Sequence, residues 1–424
     1  MRHRFPEWAK NTNVYEVNIR QYTEEGTIRA FALHLPRLKQ MEVDVLWLMP
    51  VFPISRTKRK GKLGSYYAVS DFRDVNPEFG TLADLGNLIH DVHKLGMKVI
   101  LDWVPNHTGW DHHWISTHPA YYTKNESGEI TDPLDEHGRS LGWADVAELN
   151  YQNPDLRQHM IGDMKFWIEN FKVDGFRMDM ALLVPMDFWV EASHELRKIK
   201  PDILLLAESE IVDHLNQGCF NVIYSWKFHH LLNAIALGDK DATVIDDWLM
   251  HDRKAIHSGC YLHFTSNHDE NSWSGSEIER MGEAHLAFAV LVNLLDGMTV
   301  TYSGQEEPMP HRLRFFDKDL VGFRHFAYAE FYRKLNDLRH RNPALWIAEH
   351  GGMPERILKD RHIFAFERQK DNHKVTVIIN LSRQRRKVIS DVYIEGSDLF
   401  TQNHIRYMPG TAIELAPWEY RVIV

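Results

Sequence analysis

The chain has 424 residues, 44% of them apolar and 25% charged, which supports a large buried core and excludes a disordered chain. Lys and Arg number 49 against 59 Asp and Glu, a net charge of −10 with the basic residues scattered, which argues against a nucleic-acid-binding face. Two cysteines, Cys219 and Cys260, cannot build a disulfide framework, and no apolar run is long enough to span a bilayer, so neither a membrane partner nor an oxidising compartment is expected. The first residues lack the apolar stretch of a secretion signal, which makes the cytoplasm the expected location.

In chain order, residues 14–19 form the first expected strand. A helix follows at 28–41, with Ile28, Phe31, Leu35 and Leu38 on one face. Residues 45–50 are a wholly apolar second strand stopped by Pro50 and Pro53. The loop beyond carries a basic run from Arg56 to Lys60, expected to be a solvated turn. Thr81 is placed to cap a helix that buries Leu85, Leu88, Ile89 and Val92 and ends at Gly96.

Further strands are expected at 98–101, 173–179, 203–208, 221–224, 261–266 and 298–302. Helices are expected at 155–171, 187–199, 226–236, 283–295 and 326–339. Eight strands alternating with helices indicate a parallel (β/α)8 TIM barrel. Residues 107–153 interrupt the rhythm after the third strand and read as an inserted subdomain. After Pro343 the pattern changes to short alternating runs at 362–368, 374–380, 389–393, 411–415 and 419–424, which indicate a C-terminal antiparallel β-sandwich. The expected domains are therefore 1–106 with 154–342, 107–153, and 343–424. The run 383–387 reads as a solvated turn of the last.

Polar residues recur where these strands end. The third ends in Asp102-Trp103-Val104-Pro105-Asn106-His107, the fourth in Arg177 and Asp179, the fifth in Glu208, and the seventh in Asn267-His268-Asp269. Barrel enzymes place their chemistry at that end, and four such sites would converge on one pocket. Unpaired carboxylates gathered there are costly to bury without a function.

The cluster suits acetal cleavage, which needs one ionised carboxylate and one protonated carboxyl group. Arg177 beside Asp179 favours the charged form of Asp179, whereas the apolar run 204–207 before Glu208 favours a protonated carboxyl group. A separation of about 5–5.5 Å between the two would fit a retaining mechanism.

At these residues the chain resembles the α-amylase family of retaining glycoside hydrolases, glycoside hydrolase family 13. Supporting stretches are Tyr67 before Val69-Ser70-Asp71-Phe72, Asn76-Pro77-Glu78-Phe79-Gly80-Thr81, Glu148-Leu149-Asn150-Tyr151-Gln152-Asn153 and Tyr302-Ser303-Gly304-Gln305-Glu306. All occur in the family's order. The resemblance implies that Asp179 is the nucleophile, Glu208 the general acid and then base, and Asp269 the third carboxylate, which holds sugar hydroxyls. It implies that Arg177 orients Asp179, that His107 and His268 bond the sugar, that Tyr67 stacks on it, and that Asp102 braces Arg177.

The implied substrate is an α-glucan such as starch or a malto-oligosaccharide, cleaved at α-1,4 bonds. The same residues would serve a transglycosylase or an α-1,6-glucosidase. A barrel that binds sugar or protein without chemistry is disfavoured, because every carboxylate is present. No cofactor is implied for the chemistry.

Many members follow the nucleophile with Lys-His, which binds sugar and calcium; here Met180-Ala181-Leu182-Leu183 follows, and Glu148 stands where Asp is more usual. Asn106 is left as a candidate calcium ligand, with Asp132, Asp135 or Asp145 as helpers. The 26 histidines include no HExxH motif, and zinc is not expected. Trp103, Trp110, Trp114, Trp143 and Trp273 lie near the motifs and are candidates for stacking on sugar.

Overall fold

A computed structural model describes residues 5–135 and 137–424. Its centre is a closed barrel of eight parallel strands: β1 (Val14–Val17), β2 (Val45–Leu48), β3 (Lys98–Trp103), β4 (Gly175–Met178), β5 (Leu204–Ala207), β6 (Val222–Tyr224), β7 (Cys260–His263) and β8 (Met298–Tyr302). Each strand pairs with its neighbours in sequence. The ring closes where Val14 and Glu16 of β1 lie opposite Val300 and Tyr302 of β8.

Side-chain alternation divides every strand between two surroundings. Val14, Val45, Ile100, Leu204, Val222, Leu262 and Met298 fill the barrel interior with an apolar floor. Two residues further along, the interior positions are Glu16, Trp47, Asp102, Arg177, Leu206 and Tyr224, all fully buried. Phe176, Met178 and Leu205 face outward into the larger core beneath the helices. The barrel therefore changes from apolar to charged at the carboxyl ends of its strands.

Most expected elements lie within a few residues of their observed limits, and the differences have local causes. The helix expected at 28–41 is two helices, Ile28–Ala32 and Leu35–Gln40. Pro36 has no N–H to donate to a preceding turn, so the ladder restarts there. The strand expected at 98–101 runs on to Trp103, carrying Asp102 into the sheet opposite Arg177. Thr81 caps Leu82–Lys94 in a reciprocal capping box with Asp84. A helix at Thr243–His251 was not expected. The expected helix at 283–295 begins earlier, as Glu277–Met281, and continues as His285–Leu294.

After β3 the chain leaves the barrel and returns through an antiparallel pair, His107–Gly109 with Val146–Glu148. Beyond the barrel, Pro354–Ile357, Ile363–Lys370, His373–Asn380 and Tyr420–Ile423 form an antiparallel sheet, accompanied by two two-stranded sheets. Phe364, Phe366, Val377 and Val422 face the barrel's core, while Ile363, Ala365, Ile378 and Ile423 face a separate core shared with Ile413 and Leu415. The run expected as a solvated turn enters a strand, Arg386–Ile389, paired with Ala412–Leu415. Of the strand expected at 389–393 only Ile389 is in a strand, and the rest connects Arg386–Ile389 to Ile394–Ser397. Among the described residues no helix is long and apolar enough to cross a membrane.

Candidate active site

Arg177 is the hub of the charged layer. Interior-facing on β4 and fully buried, it cannot reach water and must find its partners in the barrel. Its Nη1 donates to Asp102 Oδ1 at 3.0 Å and to Asp179 Oδ1 at 2.9 Å, and its Nε donates to the Tyr224 hydroxyl at 3.1 Å. Its Nη2 lies 3.0 Å from Glu208 Oε2, at ion-pair distance but outside hydrogen-bond alignment. One guanidinium thus holds three carboxylates, supplied by the ends of β3, β4 and β5.

The backbone completes the arrangement. Met180 adopts a left-handed conformation, φ 45°, which a methionine rarely takes. Its N–H donates to Glu208 Oε2 at 2.8 Å, so the turn after Asp179 also fixes the carboxylate of the next strand. Gly175, at the start of β4, allows the strands to close around this layer, since a Cβ there would sit 2.1 Å from the Leu204 carbonyl oxygen.

Burial pushes Asp179 well above the usual carboxylate range. The Arg177 charge opposes this, while the charges of Glu208, Asp102 and Asp269 reinforce it. Arg177 favours the charged form of Asp179, as expected, but the cation is divided among three carboxylates, and burial with the neighbouring carboxylates works against it. Asp102 is likewise pushed up by burial, to about 6, against Arg177 and His268. Groups this close exchange protons as a cluster rather than singly.

Opposite them stands His268. Its Nδ1 is 2.5 Å from Glu16 Oε1 and its Nε2 is 2.7 Å from the Tyr67 hydroxyl and 3.3 Å from Asp269 Oδ2. Burial opposes charge on this ring, but the Asp269 and Glu16 carboxylates outweigh it and hold its titration at about 9. His107 differs: burial lowers it to about 4, so its ring is neutral near pH 7. The Tyr67 hydroxyl donates to Asp102 Oδ2 at 3.1 Å, and its ring stacks on His268.

Asp179, Glu208, Asp269, Tyr67, His107 and His268 all line one cavity of about 470 Å³ at the carboxyl end of the barrel. Arg177 lies beneath it. Asn106 stands apart from that lining. Its side-chain amide meets His107 Nδ1 at 3.3 Å. The acidic residues named as its helpers are engaged elsewhere: Asp145 with Lys60 at 2.8 Å, Asp135 with Arg139, and Asp132 with the Ser140 hydroxyl. Among the described residues no three His, Cys, Asp or Glu side chains converge on a point, so these acids do not form a carboxylate cluster around Asn106.

Several cavity residues went unrecognised in the sequence. Lys60, expected in a solvated turn, lines the cavity and ties that loop to the insertion through Asp145. Phe315 and Phe316 lie in a stretch without periodicity, yet Phe315 stacks against Tyr67 and meets Trp273 at 5.2 Å. Of the five tryptophans singled out, Trp143 and Trp273 face the cavity, Trp103 and Trp114 are buried in the core, and Trp110 covers Lys58. Glu16 gave no signal beyond being a carboxylate in an otherwise apolar strand.

A family model described as the alpha-amylase catalytic domain matches residues 5–132 and 134–374. The chain belongs to the alpha-amylase family. Among the relatives of this amylase-family enzyme, Alpha-amylase 3 of Dictyoglomus thermophilum is 27% identical over 89% of this chain and 86% of its own length. The maltogenic alpha-amylase of Bacillus acidopullulyticus is 20% identical over 94% of this chain and 70% of its own length. The crystal structure of an alpha-amylase from Lactobacillus plantarum superposes with a TM-score of 0.86 at 27% identity, covering 98% of this chain and 99% of that one. The amylase-family chain is accordingly a glycoside hydrolase, and its cavity lies where a barrel enzyme carries its chemistry.

Proposed function

We propose that the enzyme hydrolyses α-1,4-glucosidic bonds of starch or malto-oligosaccharides with retention of anomeric configuration. The observation that carries this reading is the pair Asp179 and Glu208 on a single guanidinium, beside a cavity that Asp269 also lines. In the first step Asp179 attacks the anomeric carbon and forms a glycosyl ester. The bond to the leaving oxygen breaks as Glu208 gives that oxygen its proton. In the second step Glu208 takes a proton from water, the water oxygen bonds to the anomeric carbon, and the ester breaks to free Asp179.

Positive charge developing on the sugar offsets the burial that raises Asp179, so the carboxylate is stabilised most as the bond breaks. Asp269 and His268 would hold the sugar hydroxyls, with Tyr67 beneath the ring and His107 at its edge. No cofactor takes part.

An α-1,6 preference has its own support, since an oligo-1,6-glucosidase of Parageobacillus thermoglucosidasius is 31% identical over 42% of this chain. The two readings separate by mass analysis of products from maltoheptaose and from isomalto-oligosaccharides. Shortening of maltoheptaose alone is expected. Cleavage of the α-1,6 series alone would overturn the linkage assignment, and products longer than maltoheptaose would make the enzyme a transferase.

A further inference from the structure

Glu16 is a carboxylate with no place in the chemistry described so far. It sits inside the barrel on β1, fully buried, where every neighbouring strand offers an apolar or already partnered side chain. Its Oε1 lies 2.5 Å from His268 Nδ1. Among the described residues nothing donates to its other oxygen, Oε2. A buried carboxylate with one oxygen unsatisfied is an expensive feature, and His268 is its one direct hydrogen-bond partner.

The other side of the imidazole faces the cavity, where Nε2 meets the Tyr67 hydroxyl and Asp269. A proton on Nδ1 bonded to Glu16 fixes the ring's orientation and tautomer. With Glu16 ionised, a second proton on Nε2 is also favoured, and that N–H can donate toward Asp269 or a ligand. With Nε2 bare, the Tyr67 hydroxyl would turn to it and abandon Asp102.

We propose that Glu16 is a positioning residue for glycoside cleavage: it orients the His268 ring through Nδ1 and keeps Nε2 a charged hydrogen-bond donor to the sugar beside Asp269. The proposal rests on the reading of His268 as a sugar ligand.

The groups facing the pair are few. Asp269 follows His268 in the chain. Arg177 on β4, Asp102 on β3 and Tyr67 from the loop after β2 face the imidazole. Arg177 and Asp269 also act on Glu16, as does His268, and Tyr302 on β8 and Tyr224 on β6 lie in its field. Arg177 disfavours charge on the ring, so the imidazolium depends on the carboxylates, and Glu16 is the one in line with a ring nitrogen away from the cavity.

Glu16→Gln preserves the shape and an acceptor oxygen while removing the charge. The full-length protein, labelled with ¹⁵N-histidine, would be titrated by NMR, with His268→Gln used to assign the resonance. Wild-type His268 should titrate near 9. In Glu16→Gln it should fall clearly below that value, while Asp269 still favours some charge on the ring. The alkaline limb of kcat/KM on maltoheptaose should move down in parallel, a loss of roughly five-fold at pH 9 with little change at pH 5.

An unmoved His268 titration in a folded Glu16→Gln protein overturns the pairing. A moved titration with an unchanged pH profile overturns the proposal through its premise, because His268 then does not serve the sugar. Should Glu16→Gln not fold, the wild-type titration decides: a His268 value at or below 6.5 overturns the proposal, and a value near 9 that falls in Glu16→Asp, whose shorter arm withdraws the charge, supports it.

Discussion

A single buried arginine organises the chemistry at the scale of the residue. Arg177 spans carboxylates from three strands because its planar fork presents donors in several directions, which a lysine ammonium could not do from the same position. The motif around Asp179 was legible in the sequence, since a charged pair at the end of an apolar strand is unusual by itself. The division of Arg177 among Asp102, Asp179 and Glu208 was not, because sequence spacing shows the neighbour two residues away and hides those on adjacent strands. That gap hid the burial and the neighbouring carboxylates that oppose Arg177 at Asp179. Asp179→Asn removes the nucleophile while retaining a similar volume against Arg177. It should lower kcat on the order of 10⁴-fold or more. The far-UV circular dichroism should match the wild type, which separates lost chemistry from lost fold.

At the scale of the element, the turn after β7 presents Asp269. Glu270–Ser274 is a π-helical turn, and Glu270 anchors it. The Glu270 carboxylate meets His229 Nε2 at 2.9 Å and Arg280 Nη1 at 3.7 Å, and it accepts from the Ser274 hydroxyl at 3.1 Å. Burial pushes Glu270 up, but the His229 bond and the nearby Arg280 outweigh it and lower its titration to about 2. A folded value below the unfolded one means stability that is present above about pH 4.5 and is lost as pH falls toward 2. Burial lowers His229, so its charge is not available near pH 7, and Glu270→Gln should destabilise the enzyme there by only about 1–2 kcal/mol, through the lost bonds and the Arg280 contact. In thermal melts the gap from wild type should narrow between pH 4.5 and pH 3; a constant gap would show that the charge is not what anchors the turn. Strand and helix order was legible because hydrophobic periodicity is local. The short strands Arg386–Ile389 and His404–Tyr407 were not, since half their positions face water, and the first pairs with a strand distant in sequence.

For the whole molecule, the C-terminal sheet is part of the barrel's support. Arg368 is fully buried where the sheet meets the barrel. Its guanidinium donates to the carbonyls of Gly352, Leu294, Leu295 and Trp346 at 2.7–3.2 Å. Arg339 does the same from the last barrel helix, donating to Gly297 and Leu345 as well as to Asn293. Arg368→Met should leave several buried carbonyls without donors and lower stability by about 3–5 kcal/mol in urea denaturation. Unfolding should remain a single transition, because Phe364 and Phe366 belong to the same core as the barrel helices; two resolved transitions would show that the sheet folds separately. The change of rhythm after Pro343 announced this sheet in the sequence. The arginine staples were silent, being ordinary charged residues until their burial is known.

The central claim is retention through Asp179 and Glu208, and proton NMR of the first products from maltoheptaose tests it most directly. Within the first minutes, before mutarotation, the new reducing ends should carry the α-anomeric signal, and Asp179→Asn should yield none. β-Anomeric ends would show that water attacks the sugar directly, and products from Asp179→Asn at the wild-type rate would show that Asp179 is not the nucleophile.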